Sequence, residues 1–246
     1  MSYPQLLSFL VILTMACDFI PYEKGNGEIS SEKRMIDTFS DIQLTGNYEI
    51  RLKKGPKCQL VLVTDGNLLE FIHSEVVNGV LNIENSKKIR SKNGIKIYIT
   101  YQELAGIKSV GASVIKTENT IVANRFEMDI PGAGIIDLEV DVNDLEITLT
   151  GAGLVKLKGR AVNQMVSLNG VGSLEAFDLE SRSCKVIVSG MGKAEIYVKE
   201  NLNARIIGIG SIKYRGSPAT VDGKISGLGT IRPVEEDDGS DSRETS

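Results

Sequence analysis

Five carboxylates crowd into one short stretch of this chain: Glu127, Asp129, Asp137, Glu139 and Asp141. All five fall on the polar phase of an apolar/polar alternation, so on strands they would share an outward direction. Acids grouped in this way can serve as general acid and base, or hold a cation. Polysaccharide-cleaving enzymes place paired carboxylates beside the scissile bond for that purpose. The same pattern is also the ordinary solvated face of a strand. That plainer reading carries more weight, because no nucleophile motif accompanies the acids.

Other chemistry is thinly represented. The single histidine, His73, has no serine or cysteine near it in a nucleophile motif. A His-based triad or a zinc site is therefore not expected, and no cofactor motif is present. The chain has no Trp, which weighs against sugar processing on aromatic platforms. Phe177 and Tyr197 are the candidates for such a platform, as two outward aromatics expected on adjoining turns. A packing ladder between them is the more economical account. The net charge of −4 and the absence of a basic cluster argue against nucleic acid as a partner.

These residues are set within a repeat. Gly111-Ala112-Ser113, Gly132-Ala133-Gly134, Gly151-Ala152-Gly153, Gly170-Val171-Gly172, Gly190-Met191-Gly192, Gly208-Ile209-Gly210 and Gly227-Leu228-Gly229 recur roughly every 19 residues. Two and four residues before the first glycine of the five motifs from Gly132 to Gly208 stand apolar residues such as Ile130 and Met128, Leu149 and Ile147, or Val188 and Val186. Two and four after each second glycine come Ile136 and Leu138, Val155 and Leu157, or Ile212 and Tyr214. A spacing of two means strands with one buried face. Both glycines keep the inward phase, which marks a bend or a close backbone approach where no inward side chain fits. A dinucleotide-binding loop would need a third glycine and a following helix, and strands follow here instead.

A unit of about 19 residues at roughly 3.3 Å each makes a loop of some 60 Å, which suits one turn of a parallel β-helix with rungs about 4.8 Å apart. The expected fold is all-β, a single-stranded parallel β-helix whose units are stable only when stacked. Three residues past each second glycine come Asp137, Lys156, Glu175, Glu195, Lys213 and Arg232, and five past come Glu139, Lys158, Phe177, Tyr197 and Arg215. Stacking should turn these into ladders. Residues 36–110 are strand-like without the tight period and read as an irregular N-terminal cap. Gly46-Asn47 serves there as a turn pair of the kind that joins hairpin strands, and Asn78-Gly79 and Asn93-Gly94 are hairpin-type turns. Cys184 takes an inward slot shared with Phe126, Leu145 and Leu202, as a buried thiol. A disulfide to Cys58 is not expected, because the two lie on distant turns.

The ends differ from the repeat. Residues 6–16 form an apolar run of signal-peptide length, too short to span a bilayer, and Ala16-Cys17 follows the pattern of a bacterial lipoprotein cleavage site. The expected organisation is a signal peptide over 1–16, lipidation at Cys17 and a tether over 17–33. The folded head then covers 34–233, and an acidic disordered tail 234–246. Membrane attachment through the lipid, at the cell envelope and on the outer membrane, follows from that reading, with plain secretion as the alternative.

The repeated Gly-x-Gly strands, Phe39-Ser40-Asp41-Ile42-Gln43-Leu44, Tyr98-Ile99-Thr100-Tyr101 and Tyr214-Arg215-Gly216-Ser217-Pro218 together resemble the head-GIN family of auto-transporter adhesins. The resemblance runs from about Arg34 to Pro233, and Ser113 departs from the full motif. It implies a right-handed β-helical domain at the cell envelope, and adhesion as its role. No catalytic or ligand-binding residues carry over with it. The functional expectation is thus a non-enzymatic binding scaffold for a glycan or a surface protein. Asp129, Asp137, Glu139, Phe177 and Tyr197 are its candidate contact residues, and self-association through an exposed rung is possible. The alternative is a polysaccharide-active lyase or hydrolase using the surface carboxylates.

Overall fold

Glycine lets two backbones approach more closely than any other residue. The computed structural model of the protein, which describes residues 22–234, uses this at every turn. The carbonyl of Gly132 accepts a hydrogen bond from the Ala152 N–H at 3.2 Å, and that of Gly151 accepts one from Val171 at 3.0 Å. These carbonyls point straight at the first glycine of the next turn. A Cβ on Gly151, Gly170, Gly190, Gly208 or Gly227 would collide with the carbonyl oxygen of its predecessor. Among the glycines of the motif only Gly111, at φ 118°, also needs a left-handed backbone. The repeat is therefore dictated by lack of space between turns rather than by unusual dihedral angles.

The N-terminal strands are β1 (Glu23–Lys24), β2 (Ile29–Met35), β3 (Asp41–Thr45), β4 (Tyr48–Lys54) and β5 (Gln59–Asp65). After a 3-10 helix over Gly66–Phe71 come β6 (Ile72–Val77), β7 (Val80–Asn85), β8 (Ile89–Arg90), β9 (Lys96–Tyr101), β10 (Gly106–Val110) and β11 (Ala112–Thr117). Three rungs are already present in this region, and they stack out of chain order. The rung formed by β3 and β4 lies between that of β7 and β9 and that of β10 and β11, all in parallel register. Beyond β7 and β9 the stack is closed by antiparallel strands, β6 on β7, β5 on β9 and β2 on β5. That is the expected cap.

Three local expectations are corrected here. Gly46-Asn47 is a coil corner and not a hairpin turn: β3 and β4 pair with other rungs, and Gly46 abuts Gly111. Asn93-Gly94 joins β8 and β9, which pair with β1 and with β4 and β5 respectively, so it closes no hairpin either. Asn78-Gly79 does close one between β6 and β7, with φ values of 52° and 78°. Part of the expected tether is folded as well, since β1 and residues 29–33 of β2 are hydrogen-bonded into the fold. The signal peptide and Cys17 lie outside the described residues, as does the tail from 235 onward.

The regular part runs through β12 (Ile121–Ile130), β13 (Ala133–Leu149), β14 (Ala152–Leu168), β15 (Val171–Val188), β16 (Met191–Ile206), β17 (Ile209–Arg215), β18 (Thr220–Ile225) and β19 (Leu228–Pro233). All their pairings are parallel, making a β-solenoid of about 7 turns. The inward columns are shut off from solvent: Ile130, Leu149, Leu168, Val188 and Ile206 on one leg, Ile136, Val155, Leu174, Ala194 and Ile212 on the other. Each fully buried aliphatic side chain contributes about 1.5–3 kcal/mol, which is why the stack rather than the single turn is the stable unit. Cys58 and Cys184 are both buried and unpaired with each other.

Candidate functional site

Each turn has a second corner opposite the glycines, where the inward phase is reset. Val142 and Leu145 are both buried, and Asn143 and Asp144 between them face outward. Short polar side chains suit such a corner, because they hydrogen-bond locally and tolerate the bend. Stacked turns then bring them into one column: Asp144, Asn163, Ser183, Asn201 and Thr220, in direct register. The Asn163 amide donates to Asp144 at 2.8 Å, the Asn201 amide donates to the Ser183 hydroxyl at 3.2 Å, and the Thr220 hydroxyl donates to Asn201 at 2.7 Å. A parallel pair forms where Asn143 donates to Asn124 at 2.7 Å.

This column borders a groove of about 500 Å³. It runs over the inward column Leu145, Gln164, Cys184 and Leu202, whose side chains are buried, and its far wall includes Glu146, Met165, Lys185, Asn203 and Asp222. Gln164 is the anomaly. It is 2% exposed, and neither its amide oxygen nor its amide nitrogen has a hydrogen-bond partner. A buried polar group left unpaired costs about 1–3 kcal/mol, so a side chain of this kind calls for an explanation. Burial pushes the neighbouring Cys184 thiol up to about 12, so it remains neutral and inert. The Arg125 guanidinium, donating to Glu146 at 2.7 Å, closes one end. The groove thus offers amides, hydroxyls and charges of both signs along several rungs.

The carboxylates that stood out in the sequence do not converge. Asp129 lies on β12 before the glycine corner and accepts from Lys108 Nζ at 2.8 Å. Asp137 and Glu139 lie on β13 beyond that corner. Asp137 is in register with Lys156, and Glu139 pairs with Lys158 at 2.9 Å. The Thr120 hydroxyl, donating at 2.6 Å, and then Lys158 hold the Glu139 carboxyl below its ordinary range. Glu127 meets Arg125 at 3.5 Å, and Asp141 meets Arg160 at 3.2 Å. The first outward ladder runs in register from Asp137 through Lys156, Glu175, Glu195 and Lys213 to Arg232.

The aromatic pair is separated by a bulge. Register shifts between Ala176 and Glu180, so Tyr197 stands beside Glu180 and Phe177 loops out of the ladder. The Arg215 guanidinium covers the Phe177 ring at 4.3 Å. His73 lies on β6 opposite Glu84. Among the described residues no group of His, Cys, Asp and Glu is placed to hold a metal ion.

One feature escaped the sequence reading although its residues were in view. The middle residues of the motif stack on the outside of the glycine corner, and from Val171 through Met191 and Ile209 to Leu228 they form an apolar ridge, each more than half exposed. An aliphatic strip of this kind is a recognised mark of an interaction surface.

Residues 38–218 match the sequence profile of a family described as putative auto-transporter adhesin, head GIN domain. Among solved structures, a putative adhesin from Bacteroides fragilis superposes with a TM-score of 0.82 at 27% identity, covering 86% of this chain and 99% of that one. A putative lipid binding protein from Parabacteroides distasonis gives a TM-score of 0.71 at 22% identity, over 87% and 100% of the two chains. A putative adhesin from Parabacteroides merdae gives 0.67 at 21%, over 87% and 99%. At those lower identities the last two speak for the fold alone. No curated protein matches the sequence.

Proposed function

The chain belongs to the family described as putative auto-transporter adhesin, head GIN domain, matched over residues 38–218, and from that membership we propose that it is a non-catalytic binding head of the cell envelope that takes a glycan along its polar corner groove. The observation that carries this is the in-register column of Asn163, Ser183 and Asn201 along one wall of that groove. A glycan presents hydroxyls that both donate and accept, and an asparagine side chain does the same. The five-residue column spans four intervals of about 4.8 Å, so a chain of several sugar rings can lie along it. Attachment at the envelope through a lipid on Cys17 belongs to the same proposal, and loss of radiolabelled fatty acid in Cys17→Ser is its readout. A glycan array probed with the full chain tests the groove. Binding is expected for the wild type and at least tenfold weaker for Asn163→Ala/Asn201→Ala. Equal binding by both proteins would reject the groove.

A second reading rests on the apolar ridge. Four aliphatic side chains in a row can enter the acyl boundary of a lipid layer. Flotation with phosphatidylethanolamine vesicles, abolished by Met191→Glu/Ile209→Glu, is the result that would favour it.

A further inference from the structure

The two ends of the solenoid are finished differently. At the N-terminal end antiparallel strands cover the last parallel rung, and the outermost strands are β2, polar and charged over Ser30-Ser31-Glu32-Lys33-Arg34, and β6, which carries His73, Ser74 and Glu75. Edges of that composition resist pairing with another chain. At the other end β18 pairs only with β16, and β19 only with β17, among the described residues. Their outer N–H and C=O groups are unpaired. The inward column is open there too: Val221 is 47% and Ile225 45% exposed, whereas Leu202 and Ile206 directly beneath them are buried. Residues 235–246, Glu-Glu-Asp-Asp-Gly-Ser-Asp-Ser-Arg-Glu-Thr-Ser, contain no apolar side chain that could cover this layer.

We propose that the open rung pairs with the same rung of a second copy, β18 against β18 in antiparallel register about a two-fold axis centred on Gly223. The β18 sequence is self-complementary in that register. Centring on Gly223 places Val221 opposite Ile225 of the other copy and Asp222 opposite Lys224, each contact occurring twice. Apolar residues meet on the inner face and opposite charges on the outer face, both of which favour cross-strand pairing. The parity is also right: residues equidistant from a shared centre keep the same phase, so both apolar columns stay on the core side. Glycine at the centre leaves room for the two backbones to close. The covered N-terminal end blocks head-to-tail growth, so the assembly stops at two. Thr220 and Asp222 belong to both this rung and the groove wall, so the two polar grooves meet at the junction.

Sedimentation velocity of the full chain over a concentration series tests this. The mass is expected to rise from one chain to two and no further. Val221→Lys/Ile225→Lys, both on side chains already exposed in the single chain, should stay at one chain with unchanged melting temperature. Asp222→Lys should weaken association at least tenfold, and Asp222→Lys/Lys224→Asp should restore it, which reads the register itself. A wild type that remains a single chain throughout overturns the proposal. So does a mass that grows past two, a dimer that survives the double lysine variant, or association seen only after residues 235–246 are removed, since the tail would then be the natural cover.

Discussion

Gly151 lies against the carbonyl of Gly132 with no space between them for a side chain. The same contact recurs up the corner, so one methyl group at any of these sites must push two turns apart. Gly151→Ala is expected to lower stability by about 2–3 kcal/mol. Gly223, where an added Cβ would meet only the Ile231 side chain, at 3.6 and 3.9 Å, serves as the control at concentrations where the protein is a single chain. Gly223→Ala should be neutral to slightly stabilising in urea unfolding. Equal costs at the two sites would mean that glycine acts here through flexibility rather than through contact.

Gln164 occupies a column otherwise made of Leu145, Cys184 and Leu202. Replacing its unpaired amide by a side chain of similar volume removes a desolvation penalty, so Gln164→Leu should raise stability by about 1–2 kcal/mol. If the amide is kept for a ligand, the same variant should bind the array-selected glycan more weakly. A stabilised variant with undiminished binding would leave Gln164 without a part in recognition.

Cys184 should be chemically silent in the folded protein. With its thiol pushed up to about 12 by burial, thiolate is scarce at pH 8, and access is closed as well. Labelling of Cys184 by an aromatic disulfide reagent should therefore track global unfolding in urea. Rapid labelling in native buffer would show that the groove floor opens on its own.

The cap carries an acid-sensitive contact. Asp65, closed off from solvent, accepts from the Ser91 hydroxyl and from the Gly27 N–H at 2.6 Å, and these hydrogen bonds, Ser91 first, hold its carboxyl below the ordinary range. A folded pKa below the unfolded one means that the unfolded chain takes up the proton more readily. The stabilisation is complete above the ordinary carboxylate range and is lost as pH falls through the lower folded value. Asp65→Asn should flatten the acid limb of the stability curve, with hydrogen exchange in β2 and β5 as the local readout. An unchanged acid limb would remove Asp65 from the account.

The stacking was legible because it is enforced at every turn: glycines at a fixed interval and apolar residues two apart admit few folds other than a coil. What lay beyond sequence reasoning is informative in physical terms. The out-of-order rung of β3 and β4 depends on contacts between residues such as Asp41 and Gly106, far apart in sequence and outside the period. The Phe177–Tyr197 ladder fails because Phe177, Asp178 and Leu179 are bulged out between the pairs Ala176–Ile196 and Glu180–Tyr197, which equal spacing from the glycines does not reveal. The polar corner column was invisible for a related reason, since its phase is reset between Val142 and Leu145 and no longer counts from the glycines. A usable signal was present all the same: one glutamine, Gln164, in an inward slot where the other turns place apolar side chains.

Side-chain amide NMR during titration with an array-selected oligosaccharide tests the central claim most directly. The account predicts saturable shifts in the side-chain amide signals of Asn163 and Asn201, and no response of the Asn163→Ala/Asn201→Ala protein to the same oligosaccharide. Shifts confined to the methyl signals of Val171, Met191 and Ile209 on the opposite corner, recorded in the same titration, or none at all, would contradict it.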